Sequence, residues 1–394
     1  MPWPIPVLRP RPEPTSLRWR NWLAAFVLVM TVGAALVLLL WPHDQSTQSG
    51  KFWILLFGAP AVVFMGMFGA RLTYYEHAKL EQDVWAEKRE LLDNEWAQWG
   101  RRCLCIQASC VFSSAGGQID QWVQKDRELP VNLGRSLTLG WSFASSAEQW
   151  VTHLLELVIE RLGEHIERIK DLLVVEILVD PSTFAALRDT AFDSAKTLDG
   201  ILVKRAIKLP LTVKMLSESG LERLYHCVDQ HFTAPLLLIA GQRATDANSY
   251  SEGAVSLLIG TTDHRAPTAE SHVRVYRPML SNVEALYADL GQVRRIQGGA
   301  DNDADIWDTG LDKHALGTIR KASSDAGGGH VANERDTLEN NLDEVAGLAG
   351  PLSGWVALGL AIQAATRRQR SQLVVSANGS SAIAIVMART NHSS

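Results

Sequence analysis

The sequence predicts an α/β protein with a mixed sheet, preceded by an N-terminal hairpin of two apolar helices. Three observations carry this reading. Two long uncharged runs stand close together near the N-terminus, helical periodicity then alternates with short buried-strand patterns, and the chain closes on two β-branched runs around an Asn-Gly pair. The 394 residues hold 38 Lys and Arg against 43 Asp and Glu, a net charge of −5. That balance excludes a strongly basic nucleic-acid binder. With 46% apolar and 21% charged residues the chain is not a disordered one. Four cysteines in this length do not make a disulfide scaffold.

The first apolar run, Trp22 to Trp41, carries no charge. At about 1.5 Å rise per residue it spans roughly 30 Å, the hydrocarbon thickness of a bilayer. Tryptophan at both ends suits the membrane interface. A short polar loop leads to a second run over 52–70, in which Pro60 kinks the helix or sits against a partner helix. Arg9, Arg11, Arg18 and Arg20 precede the first span, Lys51 alone lies in the loop, and Arg71, Lys79, Lys88 and Arg89 follow the second. The positive-inside rule then places both ends in the cytoplasm. The expected organisation is a basic N-terminus (1–21), a transmembrane hairpin (22–72), a juxtamembrane helix (73–100) and a cytoplasmic domain (101–394) of a multi-pass inner-membrane protein. In that reducing compartment Cys103, Cys105, Cys110 and Cys227 read as buried free thiols. The Cys-x-Cys pair has no zinc-spaced partner, so neither a metal nor a cofactor is expected.

From 73 to 100 the periodicity is that of one helix, whose tryptophans need burial against the domain or a partner. Trp150 to Asp171 is strongly amphipathic, and 171–179 reads as a buried strand. His165, with Glu160, Glu164 and Glu167, reads as the solvated face of that helix. A helix is expected over 211–232, strands over 235–241, 253–260 and 271–277, and a short helix over 283–290. The stretch 297–335, rich in Gly, Asp and Ser, reads as a long loop. A small-residue helix over 351–366 and strands over 372–377 and 381–388 close the chain, the last two antiparallel around Asn378-Gly379. Ser217 and Ser219, near Lys214, lack the strained strand–turn–helix frame of a serine nucleophile.

Three stretches resemble the β-ketoacyl synthase branch of the thiolase fold. SEGAVSLLIG (251–260) looks like the family's EGA strand. NNLDEVAGLAGPLSGWVALGLAI (340–362) is similar to its Asn-x-Gly-His segment and the helix behind it. VVSANGSSAIAIVMAR (374–389) looks like its closing strand–turn–strand. The resemblance implies a thiolase-like domain, and it implies that the condensing chemistry is lost. The position of the second catalytic His falls on Glu344, the Gly before it on Asp343, and the family's Lys on Glu339. A carboxylate cannot donate an imidazole N–H to a thioester carbonyl, and it repels the carboxylate being lost. If a site survived, Cys227 and His314 would be its candidates, but the family's Cys sits at a strand-to-helix turn and its HGTGT pattern is absent around His314.

The function expected is that of a pseudoenzyme: a non-catalytic, membrane-anchored adaptor or scaffold for a partner protein, in the manner of bacterial secretion-system accessory proteins. A homodimer is compatible with this, and nucleic acid is not a partner. The alternative is a membrane-bound acyltransferase or β-ketoacyl condensing enzyme with an atypical site.

Overall fold

The structure is a computed structural model. It describes residues 3, 11–12, 15–42, 46–114, 119–123, 129–142, 146–230, 232–244, 249–261, 273–297, 304–326, 338–378 and 382–390. The chain divides into two units, Ile5–Trp96 and Met1–Pro4 with Ala97–Ser394.

In the smaller unit, α1 (Trp19–Leu40) is followed by α2 (Gly50–Trp53), a π-helical turn (Ile54–Gly58) and α3 (Ala59–Gly100), which runs on into the larger unit. The π turn lies just ahead of Pro60, where the ladder must absorb a missing N–H. Pro60 packs on the first span: a Cβ at Gly33 would stand 2.3 Å from its Cγ. Aromatic edges join the two helices, Trp22 to Phe68 at 5.2 Å and Phe26 to Phe64 at 5.0 Å between centroids. No residue of α1 is buried. Both helices are long and apolar enough to cross a membrane, with mean hydropathies of 2.8 and 2.0.

The larger unit opens with β1 (Cys103–Ser113), α4 (Ile119–Val123) and α5 (Ala147–Glu167). A capping box starts α5, Ser146 and Gln149 each satisfying the other's backbone N–H, which is worth about 1 kcal/mol. Trp150, Leu154, Leu155, Val158, Ile159 and Ile166 form its buried face, each contributing roughly 1.5–3 kcal/mol. Then follow β2 (Leu173–Val179), α6 (Pro181–Asp189), α7 (Ser194–Lys204), β3 (Leu211–Ser217), α8 (Glu222–Asp229), β4 (Leu236–Gln242) and β5 (Gly253–Ile259). The second half has β6 (Val273–Tyr276), β7 (Met279–Ser281), α9 (Leu286–Gln297), β8 (Ala304–Thr309), α10 (Lys313–Ala326), β9 (Glu339–Asn341), α11 (Leu342–Ala346), α12 (Ser353–Arg368), β10 (Ser371–Asn378) and β11 (Ala382–Thr390).

The strands join in the order β3-β2-β4-β5-β1-β6-β11-β10-β8-β9, with β7 on β11. Outward from the β1–β6 junction the two halves repeat one plan. β2 is parallel to β3 and β4, while β5 runs antiparallel to β4 and β1. In the same way β8 is parallel to β9 and β10, while β11 runs antiparallel to β10 and β6. Helix α12 lies in the core shared by both halves, with Leu238, Val255 and Leu257 from the first and Trp307, Val374 and Val386 from the second. Helix α5 covers the other face of the first half.

The closing pair is antiparallel in register from Gln372↔Ala388 to Asn378↔Ala382; Gly379 itself lies outside the described residues. Three expectations need correction. The stretch 211–217 is strand, not helix: Leu211, Val213 and Met215 alternate onto the α5-side core, and parallel pairing to β2 overrides a helical reading. The expected loop 297–335 contains β8 and α10. Asp305 and Asp308 disguise β8, yet the strand is wholly buried, and distant groups compensate the charge of Asp305. Asp305 faces Arg368 at 2.9 Å and accepts from Gln372 Nε2 at 3.0 Å. Finally, Cys103 and Cys105 are half-buried rather than buried, since β1 leaves the cover of α5 at that end.

Candidate functional site

The parallel strands β8 and β10 end side by side, and the C-terminal end of β8 delivers Asp308, Thr309 and Gly310. Asn341 caps α11, accepting from Glu344 N at 3.0 Å, which places Asp343 in the first turn of that helix. Asp343 reaches back to β8: Oδ1 accepts from Thr309 Oγ1 at 2.7 Å and Oδ2 from Gly310 N at 2.7 Å. Asp308 is 6% exposed and its Oδ1 has no hydrogen-bond partner among the described residues. Burial first, and then the neighbouring Asp343, push its carboxyl up to about 7, against a smaller opposing pull from Arg320. Burial likewise raises Asp343, against the bonds from Thr309 and Gly310. Glu339 pairs with Arg320 at 3.1 Å on the exposed side. Glu344 is exposed, and its carbonyl accepts from Asn132 N at 2.7 Å.

That last bond belongs to a seal between the two halves. Asn132 Nδ2 donates to Val345 O at 2.8 Å, Leu348 N to Arg135 O at 2.8 Å, and Ser251 N to Leu348 O at 2.9 Å. Gln242 bridges Ser251 O and Leu352 N, both at 2.7 Å. Gly347, at φ +84°, lies so close that a Cβ would meet Arg135 O at 2.3 Å. The cleft between 251–253 and 342–349 retains a volume of about 20 Å³, and among the described residues neither cysteine nor histidine lines it. One water fills such a space.

The other named residues lie elsewhere in the fold. Cys227 is fully buried inside α8, and burial pushes its thiol up to about 12. The strand-to-helix turn leading into that helix carries Glu218, Ser219 and Gly220; burial raises the Glu218 carboxyl. His314 is exposed in the first turn of α10. The structure therefore joins Asp343 to the end of β8 and leaves Cys227 in the core. The carboxyl that sequence reasoning missed is Asp308; its only sequence signal is an acid at a strand end, and its partner lies 35 residues away, reached through tertiary pairing. Among the described residues no group of three or more His, Cys, Asp or Glu is placed to hold a metal ion.

The Asp308 carboxyl gives a measurable pH dependence. Its folded value, about 7, exceeds the unfolded one, so the folded state holds the proton more tightly. The stability linked to that proton is full below about pH 4 and is lost as pH rises through 7. Asp308→Asn should therefore raise unfolding free energy at pH 8 by on the order of 2–4 kcal/mol and change it little at pH 4. Denaturant titrations at the two pH values check this; equal effects at both would contradict it.

No protein-family model matches the sequence, and no curated protein matches it. Solved structures do. One is a chain of AntDE:AntF, described as a type II PKS acyl-carrier protein in complex with its ketosynthase bound to the hexaketide. It aligns with a TM-score of 0.51 at 10% identity, covering 73% of this chain and 99% of that one. The ketosynthase from module 1 of the bacillaene synthase of Bacillus amyloliquefaciens FZB42 gives 0.49 at 10% identity, over 74% and 73% of the two chains. The 3-oxoacyl-acyl-carrier-protein synthase III from Aquifex aeolicus VF5 gives 0.41 at 10% identity, over 73% and 99%. The first likeness defines the class of fold: the larger unit is a thiolase-like mixed α/β domain.

Proposed function

We propose that the chain is a membrane-anchored thiolase-like protein that binds a partner protein and performs no acyl condensation. The observation that supports this is the closed joint between the halves. Carboxylates stand at Asp343 and Glu344, the cleft keeps about 20 Å³, and Cys227 is a protonated thiol inside a helix. Condensation needs a nucleophile and its bases within hydrogen-bond reach of one carbonyl carbon. A fold stripped of those groups still offers its surface to a partner. The partner class remains that of a protein, with a bacterial secretion-system accessory role as the working example and a second copy of the chain as a further binding partner. The expected location is the inner membrane, with the larger unit on the cytoplasmic side.

Purified full-length chain, supplied with acyl and malonyl thioesters on acyl-carrier protein, should release no carbon dioxide above background. Cys227→Ala should leave partner capture unchanged. Turnover that disappears in Cys227→Ala would overturn the reading. The alternative, an acyltransferase or condensing enzyme with an atypical site, draws support from Asp308, because a carboxyl near neutrality suits proton transfer; turnover lost in Asp308→Asn would favour it. For orientation, a cysteine at Ser46 should label from outside the cell and one at Ser394 should not. The reverse pattern would invert the topology.

A further inference from the structure

The outer face of the β1–β6–β11 seam holds chemistry that the proposed function does not use. Antiparallel register sets Cys105 opposite Arg274, and Arg274 opposite Arg389. Directly opposed residues share a face, so a thiol and two guanidiniums stand in one row across three strands. Cys103 and Tyr276, opposite each other one step along, complete the face. Two cations directly opposed in a sheet repel, and neither guanidinium is among the ion pairs of the described residues. Cys103 and Cys105 are half-buried, whereas Cys110 and Cys227 are buried. The neighbouring Cys103 thiol and the Arg274 charge lower the Cys105 thiol, against the opposing effect of its partial burial. Burial holds Cys110 and Cys227 up at about 12.

We propose that Cys105 is a modification site that exchanges with a small anionic disulfide of the glutathione class, Arg274 and Arg389 holding the carboxylates. The Cys105 thiolate attacks one sulfur of the disulfide. A protein–glutathione S–S bond forms as the original S–S bond breaks. The electron pair leaves on the departing sulfur, which takes a proton from water, so Cys105 is oxidised and one glutathione is released reduced. Cys103 does not resolve the adduct. Residues i and i+2 of an extended strand lie about 6.6 Å apart at roughly 3.3 Å per residue, at the outer limit for a disulfide and with parallel side chains.

The test is exposure of the full-length chain, in detergent micelles, to glutathione disulfide, followed by intact mass and peptide mapping. One adduct on Cys105 is expected, absent in Cys105→Ser. Its rate should level off at a lower pH than that of an ordinary thiol of pKa about 8.5. Arg274→Gln with Arg389→Gln should slow the reaction with glutathione disulfide about tenfold, and less with the neutral hydroxyethyl disulfide. Near-UV circular dichroism and resistance of Cys227 to alkylation show that each variant is folded. No adduct, an adduct on another cysteine, or a preference for the anionic disulfide that survives loss of both arginines would overturn the proposal.

Discussion

Asp229→Ala should lower the unfolding free energy by about 3–5 kcal/mol, the cost of stranding a buried charge. The charge stranded is that of Arg277, whose side chain is fully buried while Asp229 is 42% exposed. Arg277 Nη1 donates to Asp229 Oδ2 at 2.8 Å, and Nη2 donates to Oδ1. Its Nε donates to Trp99 O at 3.2 Å, and the guanidinium lies 4.0 Å from the Trp99 ring centroid. Trp3 closes the same corner, its Nε1 bonding to Pro278 O at 3.1 Å and its ring meeting Trp99 edge to face. Removing the carboxylate leaves the cation with a carbonyl and ring faces but no counter-ion. Arg277→Met removes the charge itself, so the double variant Asp229→Ala/Arg277→Met should recover part of the loss. The hydrogen bond from Arg277 holds the Asp229 carboxyl below its ordinary value. A depressed folded value means that this stability is present above the unfolded value, about pH 3.9, and is lost as pH falls through the folded one. Denaturation of the detergent-solubilised chain, followed by near-UV circular dichroism, measures both effects. A loss under about 1 kcal/mol for Asp229→Ala would show that Arg277 needs no counter-ion.

Deleting residues 1–72 should move the protein from the membrane pellet to the soluble fraction. The hairpin carries both helices long and apolar enough to span a bilayer among the described residues. Their apolar side chains stand outward, with Leu39 at 79% and Ile54 at 71% exposure. Surface of that kind is stable in lipid and aggregates in water. Alkaline carbonate, which strips peripheral proteins, should leave the full-length chain in the pellet. Leu36→Arg, which sets a charge within the first span at a cost of about 2.5–3.5 kcal/mol, should weaken insertion without touching the larger unit. Release of the intact chain by carbonate, or retention of the truncated one, would remove the membrane from the account.

Local pattern determined much of this protein. The two long apolar helices follow from uncharged runs long enough to cross a bilayer. Helix α5 follows from a stripe at steps of three and four behind a Ser146–Gln149 cap. The closing hairpin follows from two β-branched runs around Asn378-Gly379. Each is set by residues close in sequence, where periodicity is a sufficient physical signal. The three resembling stretches reached the thiolase-like fold by the same route, because strand, turn and buried helix are local features. Tertiary structure decided what depends on distant partners. Strand β3 exists because β2 offers it a parallel ladder. Strand β8 can be buried because Arg368 neutralises Asp305 and Gln372 donates a hydrogen bond to it, which a hydropathy pattern reads only as a charged loop. Glu344 was legible as a departure from the Asn-x-Gly-His pattern, but the Asp308–Asp343 pair was not, since proximity between β8 and α11 is a property of the sheet. The row Cys105–Arg274–Arg389 is of the same kind. Three residues spread over most of the chain meet through antiparallel register, and the charge each one feels is set by that register.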